Sequence, residues 1–143
     1  MDSTGFSDAW DDFFAAVRRA RGRAAQNAQP GELSLAQYQL LAAFANEDEM
    51  SVGDVAIAGG VATPTATRML SGLERDGIVE RRASEVDRRC VQVRLTAEGR
   101  RMLEAKRRVV LEKQRVIFAA LNPDEQRQAE PILRRLAVAM EDL

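Results

Sequence analysis

The residues that could do chemistry in this sequence include a charged group in the polar stretch ASEVDRRCVQVRLT, residues 83–96. Asp87 precedes Arg88 and Arg89, just before a segment in which apolar and polar residues alternate. A carboxylate this close in sequence can hold one arginine through a charge-assisted bond and leave the other guanidinium free to project. An arginine on a narrow hairpin can enter the minor groove of DNA, where the potential is most negative. The alternative is a charged turn that only keeps an edge hairpin from aggregating.

A second candidate group lies in VATPTATRMLSGLERDG, residues 61–77. Helical geometry turns Ala66, Met69, Leu70 and Leu73 inward and leaves a polar outer face. Small hydroxyls and an arginine near a helix start suit a helix in the major groove, because short side chains let the backbone approach the bases. The alternative is a solvated face on which threonines are merely tolerated. With Thr63 at the helix start, the candidates are Thr63, Thr65, Thr67, Arg68, Ser71 and Arg75.

Elements that could position these residues follow from periodicity and capping signals. Apolar residues at spacings of three and four predict helices, and hydroxyl or amide residues three positions before Gln, Asp or Glu predict their starts. Thr63 before Pro64 predicts a capped start for the fourth helix, and Gly77 predicts its left-handed end. We predict helices over about 7–27, 34–46, 51–60, 64–76, 96–121 and 123–141, with a hairpin over 78–95.

This order, helix-turn-helix followed by a hairpin, predicts a mainly α winged helix-turn-helix fold with a small β-hairpin wing. We expect residues 33–96 of the single 1–143 chain to form the winged lobe. The flanking helices, 7–27 and 97–141, carry more apolar face than a domain of this size can cover alone. We therefore expect them to be dimerisation helices that pack against a second copy.

Composition excludes several classes of function. The chain has no histidine and one cysteine among 143 residues, so we expect no zinc site, no Ser-His-Asp triad, no cofactor and no enzyme activity. No run of eighteen apolar residues and no basic-then-apolar N-terminus occurs, which predicts a soluble, cytoplasmic protein without a membrane partner. The net charge is −1, yet residues 63–101 hold nine arginines and six acids. That segment is therefore +3 and the remainder −4, an asymmetry that favours docking on phosphates.

Two motifs give the chain a family resemblance. TPTATRMLSGLERDGIVERR resembles the recognition helix and first wing strand of the MarR family of bacterial winged helix-turn-helix transcriptional regulators. DRRCVQVRLTAEG resembles the wing signature of that family, an Asp-x-Arg followed by a strand ending in Leu-Thr and a nearby glycine. The resemblance covers about residues 33–103, and the flanking helices match in placement only.

The resemblance implies a homodimer that binds a palindromic operator in double-stranded DNA, most simply as a repressor released by a small aromatic or phenolic ligand. Thr65, Thr67 and Arg68 would then meet the major groove. Asp87 and Arg89 would match the wing pair, with Arg88 at a variable position. The ligand crevice of the family would be lined here by aromatic residues that serve equally well as core: Trp10, Phe14, Tyr38 and Phe44.

Other charged or reactive residues have simpler interpretations. Cations near a helix C-terminus are favoured by its dipole, so Arg18, Arg19, Arg21 and Arg23 need not bind DNA or an anion. We interpret Cys90 as passive rather than redox-sensing, and Glu47–Glu49 as a solvated turn rather than a cation site. The main rival function is a winged-helix protein-interaction module without specific DNA binding.

Overall fold

The structure, a computed structural model, describes residues 2–143. In that range the elements are α1 (Thr4–Gln26), α2 (Leu35–Leu41), which continues as a 3-10 turn (Ala42–Ala45), β1 (Met50–Ser51), α3 (Val52–Gly59), α4 (Thr63–Arg75), β2 (Val79–Ala83), β3 (Val91–Leu95), α5 (Ala97–Phe118) and α6 (Pro123–Glu141). The mainly helical winged arrangement is confirmed. The chain divides into two compact units, one ending at Lys106 and one of Arg107–Leu143.

Four of the predicted helix starts carry the expected caps, at Ser34, Ser51, Thr96 and Asn122. Ser34 Oγ accepts from the Gln37 N–H at 3.1 Å and Gln37 Oε1 accepts from the Ser34 N–H at 2.9 Å. Ser51 Oγ caps α3 by accepting from the Asp54 N–H at 3.1 Å. Asn122 repeats the reciprocal box at the start of α6, with Glu125 as its partner. Each cap satisfies backbone donors that a helix leaves unpaired at its first turn.

The prediction that Thr63 caps α4 is wrong. The cap position is Ala62, whose backbone is extended (φ −67°, ψ 149°) and whose side chain offers no acceptor, while Thr63 is already helical. Pro64 thus occupies the second helical position rather than the first. The shift costs no hydrogen bond, because the N–H that proline lacks would be unpaired at either position.

The end of α4 is closed by a left-handed glycine, as predicted. Gly77 has φ +74°, a conformation that other residues adopt only at a cost. Its N–H donates to the Glu74 carbonyl at 3.1 Å, and the Ile78 N–H donates to the Leu73 carbonyl at 2.9 Å. These two bonds form a Schellman motif. It stops the helix and directs the chain into β2.

The sheet has three strands in the order β1-β3-β2, all antiparallel. The predicted hairpin is present, with Val79 opposite Leu95 and Ala83 opposite Val91. The prediction omitted β1, whose two residues pair with Val93 and Gln92. A two-residue strand shows no periodicity of its own, because it is defined by a partner some forty residues away.

One junction ties the base of this hairpin to α5. Thr96 Oγ1 accepts from the Gly99 N–H at 3.0 Å and so caps α5, as predicted, while it donates to the Gly77 carbonyl at 2.6 Å. The approach is close: a Cβ on Gly99 would stand 2.0 Å from the Ile78 carbonyl oxygen. A glycine is therefore required at this position.

The buried core lies between α2, α3, α4, the sheet and the first turns of α5. Its members are Leu33, Leu40, Leu41, Phe44, Val55, Ala56, Ala66, Leu70, Leu73, Ile78, Val79, Val93 and Leu103. By contrast, α1 and α6 contain no buried residue. No helix in residues 2–143 is both long and apolar enough to cross a membrane.

Candidate nucleic-acid interface

The outer face of α4 presents hydroxyls and arginines to solvent. Thr63, Thr67, Arg68 and Arg75 are exposed, whereas Thr65 and Ser71 are half-buried. Thr67 Oγ1 donates to the Thr63 carbonyl at 3.0 Å, and Ser71 Oγ donates to the Thr67 carbonyl at 3.0 Å. Both hydroxyl hydrogens are thus satisfied within the helix, and the exposed Thr67 oxygen keeps an acceptor lone pair outward.

The wing loop, residues 84–90 between β2 and β3, is organised around Asp87. Its Oδ1 accepts from the Arg89 backbone N–H at 3.0 Å and lies 3.4 Å from Arg89 Nε. Ser84 Oγ accepts from the Val86 and Asp87 N–H groups on the other side of the turn. The Arg89 side chain is nevertheless 93% exposed. The carboxylate therefore fixes the backbone of the turn and only loosely holds the guanidinium.

Ion pairing leaves an uncompensated set of cations on these two elements. Glu74, Glu80, Asp87 and Glu98 pair with Arg81, Arg82, Arg89 and Arg101. In residues 2–143, no carboxylate lies within 4.0 Å of the basic groups of Arg68, Arg75 or Arg88. All three side chains are exposed. The outer face of α4 and the wing loop thus present positive charge that the protein itself does not neutralise.

Sequence reasoning missed a contact that joins α4 to the wing. The Arg81 N–H donates to Glu74 Oε2 at 3.0 Å, and Arg81 Nη2 donates to Glu74 Oε1 and to Ser71 Oγ, each at 3.1 Å. The Arg81 guanidinium bond, followed by the backbone bond, lowers the pKa of Glu74. The available signal was an acid and a base on either side of the Gly77 turn. Their charges suggest pairing only once the turn geometry is known.

The aromatic residues predicted to line a ligand crevice divide into two groups. Trp10 and Phe14 lie half-buried on α1 with ring centroids 4.6 Å apart, and Tyr38 is half-buried against the core. Phe44 is fully buried, so the expectation that it lines an open crevice is corrected. Its backbone carbonyl accepts from Arg100 Nη1 at 2.9 Å, which gives it a structural role.

An open cavity of about 330 Å³ lies elsewhere in the first unit, between the end of α1 and the start of α2. Its walls are largely small and apolar, and two cations, Arg21 and Lys106, border it. The lining comprises Arg21, Ala24, Ala25, Ala28, Ser34, Leu35, Ala36, Gln39 and Lys106. All four arginines of the run on α1 are exposed, and of these Arg21 lines the cavity.

The remaining candidates, Cys90 and Glu47–Glu49, lie on the surface. Cys90 is exposed, with Sγ 3.7 Å from Asp87 Oδ2. Glu47–Glu49 are exposed. In residues 2–143, no group of three or more His, Cys, Asp or Glu side chains could hold a metal ion.

Comparison with known proteins identifies the relatives of this chain. The MarR family model matches residues 33–91. A helix-turn-helix transcriptional regulator of Mycobacterium leprae is 36% identical over 94 residues, which are 66% of this chain and 65% of that protein. The transcriptional repressor MprA of Escherichia coli K12 is 34% identical over 94 residues, 63% of this chain and 51% of MprA. The chain thus spans less than two thirds of the length of these relatives.

Solved structures resemble the whole chain. The PcaV transcriptional regulator of Streptomyces coelicolor is 26% identical with a TM-score of 0.71, covering 93% of this chain and 98% of PcaV. FabT of Streptococcus pneumoniae, solved in complex with DNA, has a TM-score of 0.83 at 23% identity and covers 99% of both chains. At that identity the likeness to FabT speaks for the fold alone. Taken with the sequence relatives, these matches show that the chain is similar to the MarR family, whose model covers residues 33–91.

Proposed function

We propose that this protein is a homodimeric, sequence-specific DNA-binding regulator of transcription in the cytoplasm, acting as a repressor at a palindromic operator. The observation that carries the proposal is the exposed, uncompensated charge of Arg68, Arg75 and Arg88 on a recognition helix and its wing. Phosphates attract such cations, and release of their counterions dominates affinity for DNA. The relative of Mycobacterium leprae, a helix-turn-helix transcriptional regulator, supports DNA as the partner, and the repressor MprA supports repression rather than activation.

The two elements would divide the work of recognition. Helix α4 would lie in the major groove, where Thr63, Thr65 and Thr67 allow close approach and Arg68 reaches a base edge or phosphate. Arg75 would contact the backbone from the other end of the helix. The wing would enter the minor groove, with the backbone at Arg89 fixed by Asp87 and Arg88 free to find a phosphate. Ser71, whose hydroxyl is occupied inside the protein, would act through its neighbours.

The palindrome follows from the proposed dimer. A twofold axis would place the two copies of α4 in successive major grooves, roughly 34–36 Å apart. Exposed apolar residues of α1, α5 and α6 supply the surface for such pairing, among them Phe13, Ile117 and Leu133 at 57%, 67% and 62% exposure. Apolar side chains this exposed on three helices favour burial against a second copy.

The deciding experiment measures binding to the intergenic DNA upstream of the protein's own gene, together with selection from a random DNA pool. We expect a preferred palindromic sequence and an affinity that falls steeply with salt. The proposal fails if neither experiment yields salt-sensitive, sequence-preferring binding.

Separate substitutions of the two wing arginines test the assigned roles. Arg89→Ala should weaken binding and reduce the slope of log affinity against log salt by about one, the value for one lost phosphate contact. Arg88→Ala should weaken binding less, because its position carries no partner that orients it. Equal losses for the two variants would contradict this division.

The second candidate function, a protein-interaction module, uses the same basic surface for an acidic partner protein. It predicts a protein complex that Arg89→Ala weakens and no preference among DNA sequences. The uncompensated arginines alone do not separate it from the DNA-binding proposal. The random-pool selection does, because only DNA recognition enriches a sequence.

We further propose that a small aromatic or phenolic anion releases the regulator from DNA by occupying the cavity beside Arg21. Apolar walls of alanine and leucine would cover a ring, and Arg21 and Lys106 would attract a carboxylate or phenolate. An alternative site beside Trp10, Phe14 and Tyr38 remains a prediction. Benzoate serves as the probe: Arg21→Ala should abolish its effect on DNA binding and Phe14→Ala should not. The reverse pattern would assign the ligand to the aromatic residues.

A further inference from the structure

We propose that Arg81 is a positioning residue that holds the recognition helix against the wing, so that the two elements keep a fixed relative orientation when they bind DNA. The inference rests on the proposed DNA binding for its functional consequence. Its structural basis is the set of three hydrogen bonds from Arg81 on β2 to Glu74 and Ser71 on α4. Together these atoms are called the Arg81 clamp.

The geometry distinguishes the clamp from an ordinary surface ion pair. Arg81 uses both its backbone N–H and its guanidinium, so it engages the two carboxylate oxygens of Glu74 from two directions. Its side chain is 23% exposed, whereas those of the other arginines in ion pairs range from 50% to 93%. Multiple charge-assisted bonds restrict orientation more than a single contact does.

The elements at the two ends of the clamp explain why orientation matters. Ser71 and Glu74 lie on α4 between the exposed Arg68 and Arg75, and β2 is an edge strand of the sheet whose far end leads into the wing loop. The Gly77 turn and the shared core residues Leu73, Ile78 and Val79 already join the helix to the hairpin. The clamp adds side-chain restraints outside that core and so limits the remaining variation in the angle between helix and hairpin before DNA arrives. This removes an ordering cost from binding.

Ser71 acquires a specific role in this arrangement. Its hydroxyl donates to the Thr67 carbonyl and accepts from Arg81, so both functions of the group are used. The Thr67 side chain lies on the proposed major-groove face. The chain of hydrogen bonds from Arg81 through Ser71 therefore ends at the backbone carbonyl of Thr67, a residue of the proposed major-groove face.

Charge makes the test decisive. Glu74 is an anion on the proposed DNA-binding element, so removing it should strengthen DNA binding if only long-range electrostatics mattered. The clamp predicts the opposite for Glu74→Gln. Arg81→Gln and Glu74→Gln should both weaken binding to the selected operator, each about tenfold, the loss for one charge-assisted hydrogen bond. Neither should change the salt slope, because neither side chain meets a phosphate.

Matched variants control for charge and fork geometry. Arg82→Gln removes the same charge from the next residue, whose guanidinium lies 3.9 Å from Glu80 and is half exposed; it should weaken binding less than about threefold. Arg81→Lys keeps the charge but loses the planar fork, so it should resemble Arg81→Gln. The clamp is overturned if Glu74→Gln binds more tightly than the wild type, if Arg81→Lys binds like the wild type, or if the salt slope of Arg81→Gln falls by about one.

Amide hydrogen exchange without DNA separates this inference from the proposed function. Glu74→Ala removes the acceptor of the Arg81 N–H, so exchange at that amide should accelerate while core amides such as that of Val93 keep their protection. Unchanged exchange at Arg81 would overturn the clamp even if the wild type binds DNA. Faster exchange in a protein that binds no DNA would retain the clamp as structure and reject the proposed function.

Discussion

The two compact units of this chain differ in how they bury apolar surface. The unit ending at Lys106 contains thirteen buried apolar residues, including Phe44, Leu70 and Val93. In Arg107–Leu143 no residue is buried. Even large apolar residues such as Ile117, Leu133 and Val138 are each more than 60% exposed. The first unit has a core of its own. The second consists of helices whose large apolar residues are mostly exposed.

The difference shows which part of the fold one chain can stabilise alone. Packing of an amphipathic face supplies most of the stability of a helix in a protein, because isolated helices are marginal in water. The wing, its recognition helix and their core meet this condition within a single copy. The apolar faces of α6 and of the second half of α5 need another surface to pack against, which in our proposal is a second copy.

The largest expected effects come from truncating one leucine in each unit. Leu70→Ala empties part of the core and should lower the free energy of unfolding by about 2–5 kcal/mol. The loss should be the same at every protein concentration. Leu133→Ala should instead reduce self-association, so that its melting temperature approaches that of the wild type on dilution. Melting curves over a hundredfold range of concentration test both, and a concentration-independent loss for Leu133→Ala would contradict the comparison.

A smaller effect is expected from adding a methyl group at Gly99. The new Cβ would stand 2.0 Å from the Ile78 carbonyl oxygen, so the junction between β2 and α5 must shift. Gly99→Ala should lower the free energy of unfolding by about 1–3 kcal/mol. Gly22→Ala is the control: nothing lies within 4 Å of its added Cβ, and it should raise stability by about 0.5–1 kcal/mol, since alanine favours a helix. Chemical denaturation measures the change in the free energy of unfolding for both variants. Changes of the same sign would be inconsistent with the structure.

Two reciprocal capping boxes, one in each unit, offer a sharper comparison of the units. Ser34→Ala and Asn122→Ala each remove one side-chain acceptor from a helix start and should each cost about 1 kcal/mol. The Ser34 loss should appear in the unfolding of the first unit at any concentration. The Asn122 loss should appear as a higher dissociation constant of the proposed dimer, measured by sedimentation. Identical behaviour of the two variants would remove the distinction between the units.

The smallest effect concerns pH. The Arg81 bonds lower the pKa of Glu74 from its ordinary value of 4.5, so the folded state releases this proton more readily than the unfolded state. The stabilisation is complete above pH 4.5 and is lost as the pH falls through the lower, folded pKa. The stability difference between wild type and Glu74→Gln should therefore shrink on acidification below about pH 4.5. A difference that grows instead would contradict the pairing.

Local signals predicted much of this structure. The Ser34, Ser51 and Asn122 caps depend on residues three positions apart, and the Gly77 stop depends on the intrinsic freedom of one glycine. Non-local features escaped prediction. The strand character of Met50 comes from Val93, and periodicity could not tell that Phe44 is core rather than crevice.

The candidate site shows the same limit. The exposed arginines of α4 and the Asp87–Arg89 contact followed from spacing, since one helix or one turn sets their geometry. The Arg81 clamp did not, because it depends on the angle at which β2 leaves the Gly77 turn. The exact start of α4 was also beyond prediction. A threonine before a proline is compatible with a helix that begins at the proline or, as observed, at Thr63.

The junction at Thr96 also determines where the chain can change length. At the base of the hairpin, Thr96 donates to the Gly77 carbonyl, where α4 has just ended, and caps the start of α5. An insertion near this base would therefore pull α4 away from α5. Between Ala83 and Val91 no such tie exists beyond the turn itself. Two-residue additions there preserve the inward and outward faces of the strands. The wing is therefore a natural place to graft a longer loop, and its reach can vary while the core stays unchanged.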